Sequence, residues 1–135
     1  MSTHFHPLML SAPAYTIDED ESAGIVRMMV EGFFDQDILA RHFDDNAAFV
    51  RRWRAAGRPI RVLIDANRLL PHTPQNQAFV MRSFERIYRP GDRVAILVGS
   101  SLVKMQMRRT HSFGEIIQFF LSEQGAVTWL KAYDL

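Results

Sequence analysis

Hydrophobic and polar residues recur along this chain with two different periods, and the switches between them mark out the elements. Tyr15-Thr-Ile-Asp18 alternates, an acidic stretch through Glu21 leads to Gly24, and a second alternating run covers Ile25 to Gly32. In that run Val26, Met28 and Val30 face one side while Arg27, Met29 and Glu31 face the other. Two alternating runs about a polar turn predict an antiparallel hairpin. The period then lengthens: Leu39, Phe43, Ala47, Val50 and Trp53 recur at helical spacing behind Asp35, an expected N-cap, and Gly57 with Pro59 ends the helix. Ile60 to Asp65 reads as a buried strand and Ala66 to His72 as a loop.

A second helix is expected from Thr73, its cap, with Pro74 at the first helical position and Val80, Phe84 and Ile87 as its apolar stripe. Pro90-Gly91 closes it. Arg93 to Val98 is another buried strand, Gly99-Ser-Ser101 a turn, and Leu102 to Arg109 a short third helix. Two signals compete over Ile116 to Leu121. Ser112-x-x-Glu115 resembles a capping box and favours helix, whereas Ser122-Glu123 forms a fresh N-cap before Ala126 to Leu130 and favours a strand ending at Leu121. The strand is the better reading. Met1 to Ala14 lacks periodicity and reads as a flexible leader, leaving residues 15–135 as one domain. The order β-β-α-β-α-β-α-β-α, with near-continuous apolar runs between helices, predicts an α/β domain. Its mixed sheet has about five strands, an N-terminal antiparallel hairpin and flanking helices.

Composition narrows the chemistry. The 135 residues suit a single domain, and the absence of cysteine excludes disulfides, thiolate zinc sites and cysteine nucleophiles. The longest apolar run, Val94 to Val98, is far too short to span a membrane. Ala12-Pro-Ala14 mimics a signal-cleavage site, but no basic segment precedes it and Leu8-Met-Leu10 is too short an apolar core. A cytoplasmic domain is expected. The net charge of +1 hides an asymmetry: residues 1–50 carry nine acids against two arginines, and residues 51–111 thirteen bases against three acids. An arginine-rich half invites a nucleic-acid reading. However, Asp35 and Asp37 at the start of the first helix and Arg51, Arg52 and Arg54 at its end complement the helix dipole, so no specific nucleic-acid binding is expected.

Ligands of open α/β sheets favour the carboxyl ends of the parallel strands. Two segments qualify, Asp65 to Thr73 and Gly99 to Ser101, and the candidate binding residues are Asp65, Asn67, Arg68, Thr73, Ser100 and Ser101. Arg68 and free backbone N–H groups before a helix suit an acidic group. The Gly-Lys-Ser/Thr of a phosphate loop is missing. The simpler reading has Asp65 bonding the backbone, Thr73 and Ser101 capping helices, and His72 in solvent. His4-x-His6 lies in the leader, His42 sits near Asp45 on the first helix, and His111 merely adjoins Ser112. Asp44 and Asp45 point to different sides of their helix. No nucleophile–base pair and no metal-ligand spacing emerges, so neither catalytic residues nor a metal or cofactor is expected. Phe119, Phe120 and Trp129 are expected in the core, with the Trp129 indole packed against the sheet and its N–H on a polar partner.

Gly57-Arg-Pro-Ile-Arg-Val-Leu-Ile-Asp65, then Arg93-Val-Ala-Ile-Leu-Val-Gly-Ser-Ser101, then Phe120-Leu-Ser followed by Ala126-Val-Thr-Trp-Leu130 make a familiar pattern. From about Tyr15 to Leu130 the chain resembles the SpoIIAA-like proteins, small bacterial domains grouped with the STAS and Sec14-type folds. The resemblance implies a mixed sheet with packed helices. In the anti-sigma-factor antagonists of that group, the loop after the central strand carries Asp-Ser-Ser/Gly, whose serine is a phosphorylation switch. Here the loop reads Asp65-Ala66-Asn67-Arg68, without the hydroxyl, and Thr73 is too distant to replace it. The resemblance therefore implies a noncatalytic regulatory or interaction module without that switch, taking a protein partner or a small ligand. Homo-oligomerisation stays open. The Sec14-type kinship implies, as the alternative, a protein that binds a small apolar ligand or lipid. Met28, Met29, Met81, Met105 and Met107 offer adaptable walls, although so short a chain leaves little room for a large cavity.

Overall fold

The hairpin forms where the alternation places it. In the computed structural model, which describes residues 12–110 and 114–132, β1 (Ala14–Asp20) and β2 (Ile25–Gly32) pair antiparallel from Ala14↔Glu31 to Asp20↔Ile25. The Asp20 carboxylate accepts from the Ser22 hydroxyl at 2.8 Å and from the Ala23 N–H at 3.1 Å. Gly24 completes the turn at φ 70°, where a side chain would be strained. β1 begins at Ala14, so the last residue of the expected leader is already in the sheet. His4 and His6 lie outside the described residues.

The chain continues through α1 (Gln36–Ala55), β3 (Arg61–Leu69), α2 (Pro74–Ile87), β4 (Arg93–Leu97), α3 (Ser101–Thr110), β5 (Ile117–Phe120) and α4 (Glu123–Leu130), the predicted order. The helix starts follow from their caps. Asp35 accepts the Ile38 N–H, Thr73 the Asn76 N–H and Ser122 the Gly125 N–H. Ile116 to Leu121 resolves as strand, because β5 pairs with β4 from Val94↔Ile117 to Leu97↔Phe120. Ser112, the other half of the apparent capping box, and His111 lie outside the described residues.

The sheet order is β1-β2-β3-β4-β5, with β2 to β5 mutually parallel. Each parallel strand lands beside its predecessor, so crossovers of one hand put their helices on one face. Burial agrees. Val26, Met28, Val30, Val62, Ile64, Val94 and Phe119 of the sheet join Leu39, Phe43, Phe49 and Trp53 of α1 and Val80 and Phe84 of α2 in one core. α4 folds back over the opposite face, where Ala126 and Leu130 meet Ile25, Leu63, Ala95 and Leu97.

The expected burial of Trp129 is corrected by this second layer. A helix of eight residues covers only part of that face, and Trp129 is left half-buried at its flank, 5.6 Å from the Phe120 ring and under the Arg93 guanidinium at 4.9 Å. The tryptophan in the main core is Trp53.

Candidate functional site

The carboxyl edge of the parallel strands is built by an unequal pair of strands. β3 and β4 run in register as far as Asp65↔Leu97, where β4 ends. β3 does not stop there. The loop expected from Ala66 is strand through Leu69, because the end of β2 still offers backbone partners at Glu31↔Arg68 and Gly32↔Leu69. The register shifts between these pairs and Met29↔Asp65, so Ala66 and Asn67 bulge. The Asp65 carboxylate holds the bulge, accepting from the Asn67 backbone N–H at 3.0 Å and from its side-chain amide at 2.8 Å. Gly99 lies against the same amide: a Cβ built there would sit 3.8 Å from Asn67 Oδ1. Thus Asp65, Asn67 and the turn carrying Ser100 and Ser101 come together.

Asn67, Arg68, Thr73, Ser100 and Ser101 are exposed and Asp65 half-buried. Several of them carry structural duties. Thr73 caps α2, its hydroxyl oxygen 3.2 Å from the Asn76 nitrogen. Ser100, rather than the expected Ser101, takes the cap position of α3, since its carbonyl accepts the Lys104 N–H at 3.0 Å. Asp65 bonds the backbone as the simpler reading had it. Arg68 projects from the last stretch of β3 beyond the β4 pairing.

Apolar residues extend this edge. The large hydrophobic side chains left exposed among the described residues are Phe33, Leu102, Met105 and Leu121. Phe33 directly follows β2, Leu121 directly follows β5, and Leu102 and Met105 lie in the first two turns of α3, just beyond β4. Because β2 to β5 are parallel, all four gather at one end of the sheet, together with Arg68 and the two serines. Sequence reasoning named Met105 only as a possible pocket wall and passed over Phe33, Leu102 and Leu121 as surface residues, because exposure is not visible in an apolar pattern.

Beneath the edge, between the sheet and its crossover helices, lies a cavity of about 80 Å³. Its walls are mostly apolar, with Leu39, Ile64, Ala66, Val80, Ile96 and Phe119 among them. Met107 also lines it; Met28 instead belongs to the packed core and Met105 is exposed. Two histidines also belong to the lining. His42, expected near Asp45 on the first helix, is 5% exposed, packed edge-on against Tyr15 at 4.7 Å and Phe43 at 5.1 Å. His72, read as solvated, is half-buried, and the Nδ1 atoms of both rings are buried without a hydrogen-bond partner among the described residues. Asp45, the expected neighbour of His42, accepts a 2.6 Å hydrogen bond from the Tyr15 hydroxyl. Burial foremost, and Asp45 after it, pushes the Tyr15 hydroxyl up to about 12.

Burial pulls His42 down to about 4, opposed by Asp45 and reinforced by His72, which burial also lowers. The unfolded chain therefore binds a proton near pH 6.5 that the folded chain refuses until about pH 4. The His42 contribution is full above pH 6.5 and is lost as the pH falls toward 4, by about 3 kcal/mol in all. Urea titrations between pH 7 and 4.5 are expected to show wild-type stability falling more steeply than that of His42→Phe. Parallel pH profiles would contradict this.

No family model and no curated protein matches the chain. Solved structures do. An uncharacterised protein with a SpoIIAA-like fold from Shewanella loihica superposes with a TM-score of 0.63 at 16% identity, over 96% of this chain and 98% of its own. An anti-sigma factor antagonist from Mycobacterium paratuberculosis superposes with a TM-score of 0.62 at 12% identity, over 89% of this chain and 95% of its own. The chain has a SpoIIAA-like fold. Within that fold the position after Asp65 is Ala66, whose side chain helps to line the cavity. Among the described residues no three metal-ligating side chains cluster, and no helix is long and apolar enough to cross a membrane.

Proposed function

We propose that this SpoIIAA-like domain is a noncatalytic regulatory module of the bacterial cytoplasm that binds a protein partner through the carboxyl edge of β2 to β5. The observation that carries this reading is the convergence of Phe33, Leu102, Met105 and Leu121 on that edge. Exposed apolar side chains ringed by polar ones are what a protein interface presents before binding. Arg68, Asn67, Ser100 and Ser101 supply the polar ring, and Arg68 suits an acidic group on the partner. The anti-sigma factor antagonist of the same fold supports a role in protein recognition. Control differs from the serine switch of the anti-sigma-factor antagonists, because Asp65 is followed by Ala66, which has no hydroxyl and lines the cavity.

Leu102 is 65% exposed, so Leu102→Asp is expected to change folding stability by less than about 0.5 kcal/mol. At a docked interface the same change places a charge against apolar surface and is expected to weaken binding at least tenfold (about 1.4 kcal/mol). The test is affinity capture on the purified protein, followed by hydrogen exchange of the complex and titration with the variant. Protection over residues 65–73 and 99–105 with weakened binding supports the edge. Protection confined to the α4 face, with wild-type affinity, overturns it.

A further inference from the structure

The cavity at His42 and His72 has a composition that packing alone does not explain. Its volume of about 80 Å³ is several times what one water requires and about half that of a ~150 Å³ cavity known to admit benzene. Half-buried Leu69, His72 and Gln77 line one end, so that end reaches toward the surface. Buried polar atoms normally find partners, yet among the described residues both imidazole Nδ1 atoms lack one.

The protonation of His42 follows from its neighbours. The His42 carbonyl can only accept, so its 2.8 Å contact makes Nδ2 the Asn46 atom that faces it, and the Tyr88 hydroxyl donates to Asn46 Oδ1. Asn46 Nδ2 also approaches His42 Nε2 at 3.4 Å. Nε2 faces a donor and so carries the lone pair, which leaves the proton on Nδ1. Among the described residues His42 is thus a neutral donor without an acceptor, held in a mostly apolar wall.

We propose that this cavity is a binding site for a small uncharged molecule with a compact apolar body smaller than a benzene ring and one carbonyl or hydroxyl oxygen, which accepts the hydrogen bond of His42 Nδ1 beside His72. The apolar walls take the body, and the oxygen satisfies the orphaned donor. A carboxylate is disfavoured, since among the described residues no Lys or Arg lines the cavity and a buried charge without a partner is costly. A lipid tail is disfavoured by the volume. The site lies beneath the proposed partner edge but stands independently of that reading.

Acetone and isobutene, nearly equal in size, separate the hydrogen bond from hydrophobic filling. Each is titrated into the full chain and followed by the methyl resonances of Leu39, Ile64, Val80 and Ile96 and by the Nδ1–H resonance of His42. Saturable methyl shifts are expected with both, with the ketone binding about tenfold more tightly and alone shifting the imidazole proton. The ketone's advantage is expected to vanish in His42→Phe. If that variant does not fold, the wild-type comparison stands alone. The absence of saturable shifts at these methyls, or equal affinity for the two probes, would overturn the proposal.

Discussion

Replacing Trp53 by alanine is expected to lower folding stability by about 3–5 kcal/mol, the range for truncating a well-packed large aromatic. Trp53 is 3% exposed and closes the end of α1 against the sheet. Its indole N–H donates to Glu19 Oε1 at 2.7 Å and the Arg58 guanidinium lies 5.2 Å from the ring, so one side chain ties helix, hairpin and turn. The same substitution at Trp129 loses less, about 1–2 kcal/mol, because only part of that ring is removed from water and Arg93 covers it from outside. Urea denaturation of both variants checks the ranking. A larger loss at Trp129 would mean that α4, and not α1, anchors the core.

Asp92→Ala is expected to lose about 3–5 kcal/mol by a different route. The Asp92 carboxylate is buried and receives both arms of Arg54, at 2.9 and 2.6 Å, together with the Arg89 N–H at 2.9 Å. Arg54 also donates to the Ile87 carbonyl at 3.2 Å, so the pair fastens the end of α1 to the turn between α2 and β4. Removing the carboxylate strands a guanidinium whose side chain is 22% exposed, and leaves a backbone donor unpaired. Replacing both partners removes the stranded charge, so Arg54→Met with Asp92→Leu is expected to recover most of the loss. A double variant less stable than Asp92→Ala would show the pair itself to be strongly stabilising.

The hairpin, the caps at Asp35, Thr73 and Ser122, and the alternation of strands and helices were legible in the sequence because each rests on neighbours within a few residues. The proximity of Asp65 to Gly99 was legible too, through the rule that parallel strands end on one side. The extension of β3 to Leu69 was not, since Asn67-Arg68 has no apolar alternation and its pairing depends on where β2 ends. His42 left a signal that went unread. With Asn46 it falls on the stripe of Leu39, Phe43, Phe49, Val50 and Trp53, and two polar residues one turn apart on an apolar stripe point to a buried hydrogen-bonded pair. The cavity itself left no signal, because a void is a property of how the walls meet. Trp129 misled because an apolar stripe gives the direction of a helix face but not how much of a sheet that helix can cover.

The central claim is that recognition occurs at the edge formed by β3, β4 and the start of α3. Calorimetric titration of the captured protein partner against the wild type, Arg68→Ala and Ser101→Ala tests it most directly. Both residues are exposed, so melting temperatures are expected to stay nearly unchanged while each variant binds several-fold to tenfold more weakly. Wild-type affinity in both variants, at unchanged stability, would contradict the account and leave these residues as surface chemistry around a helix start.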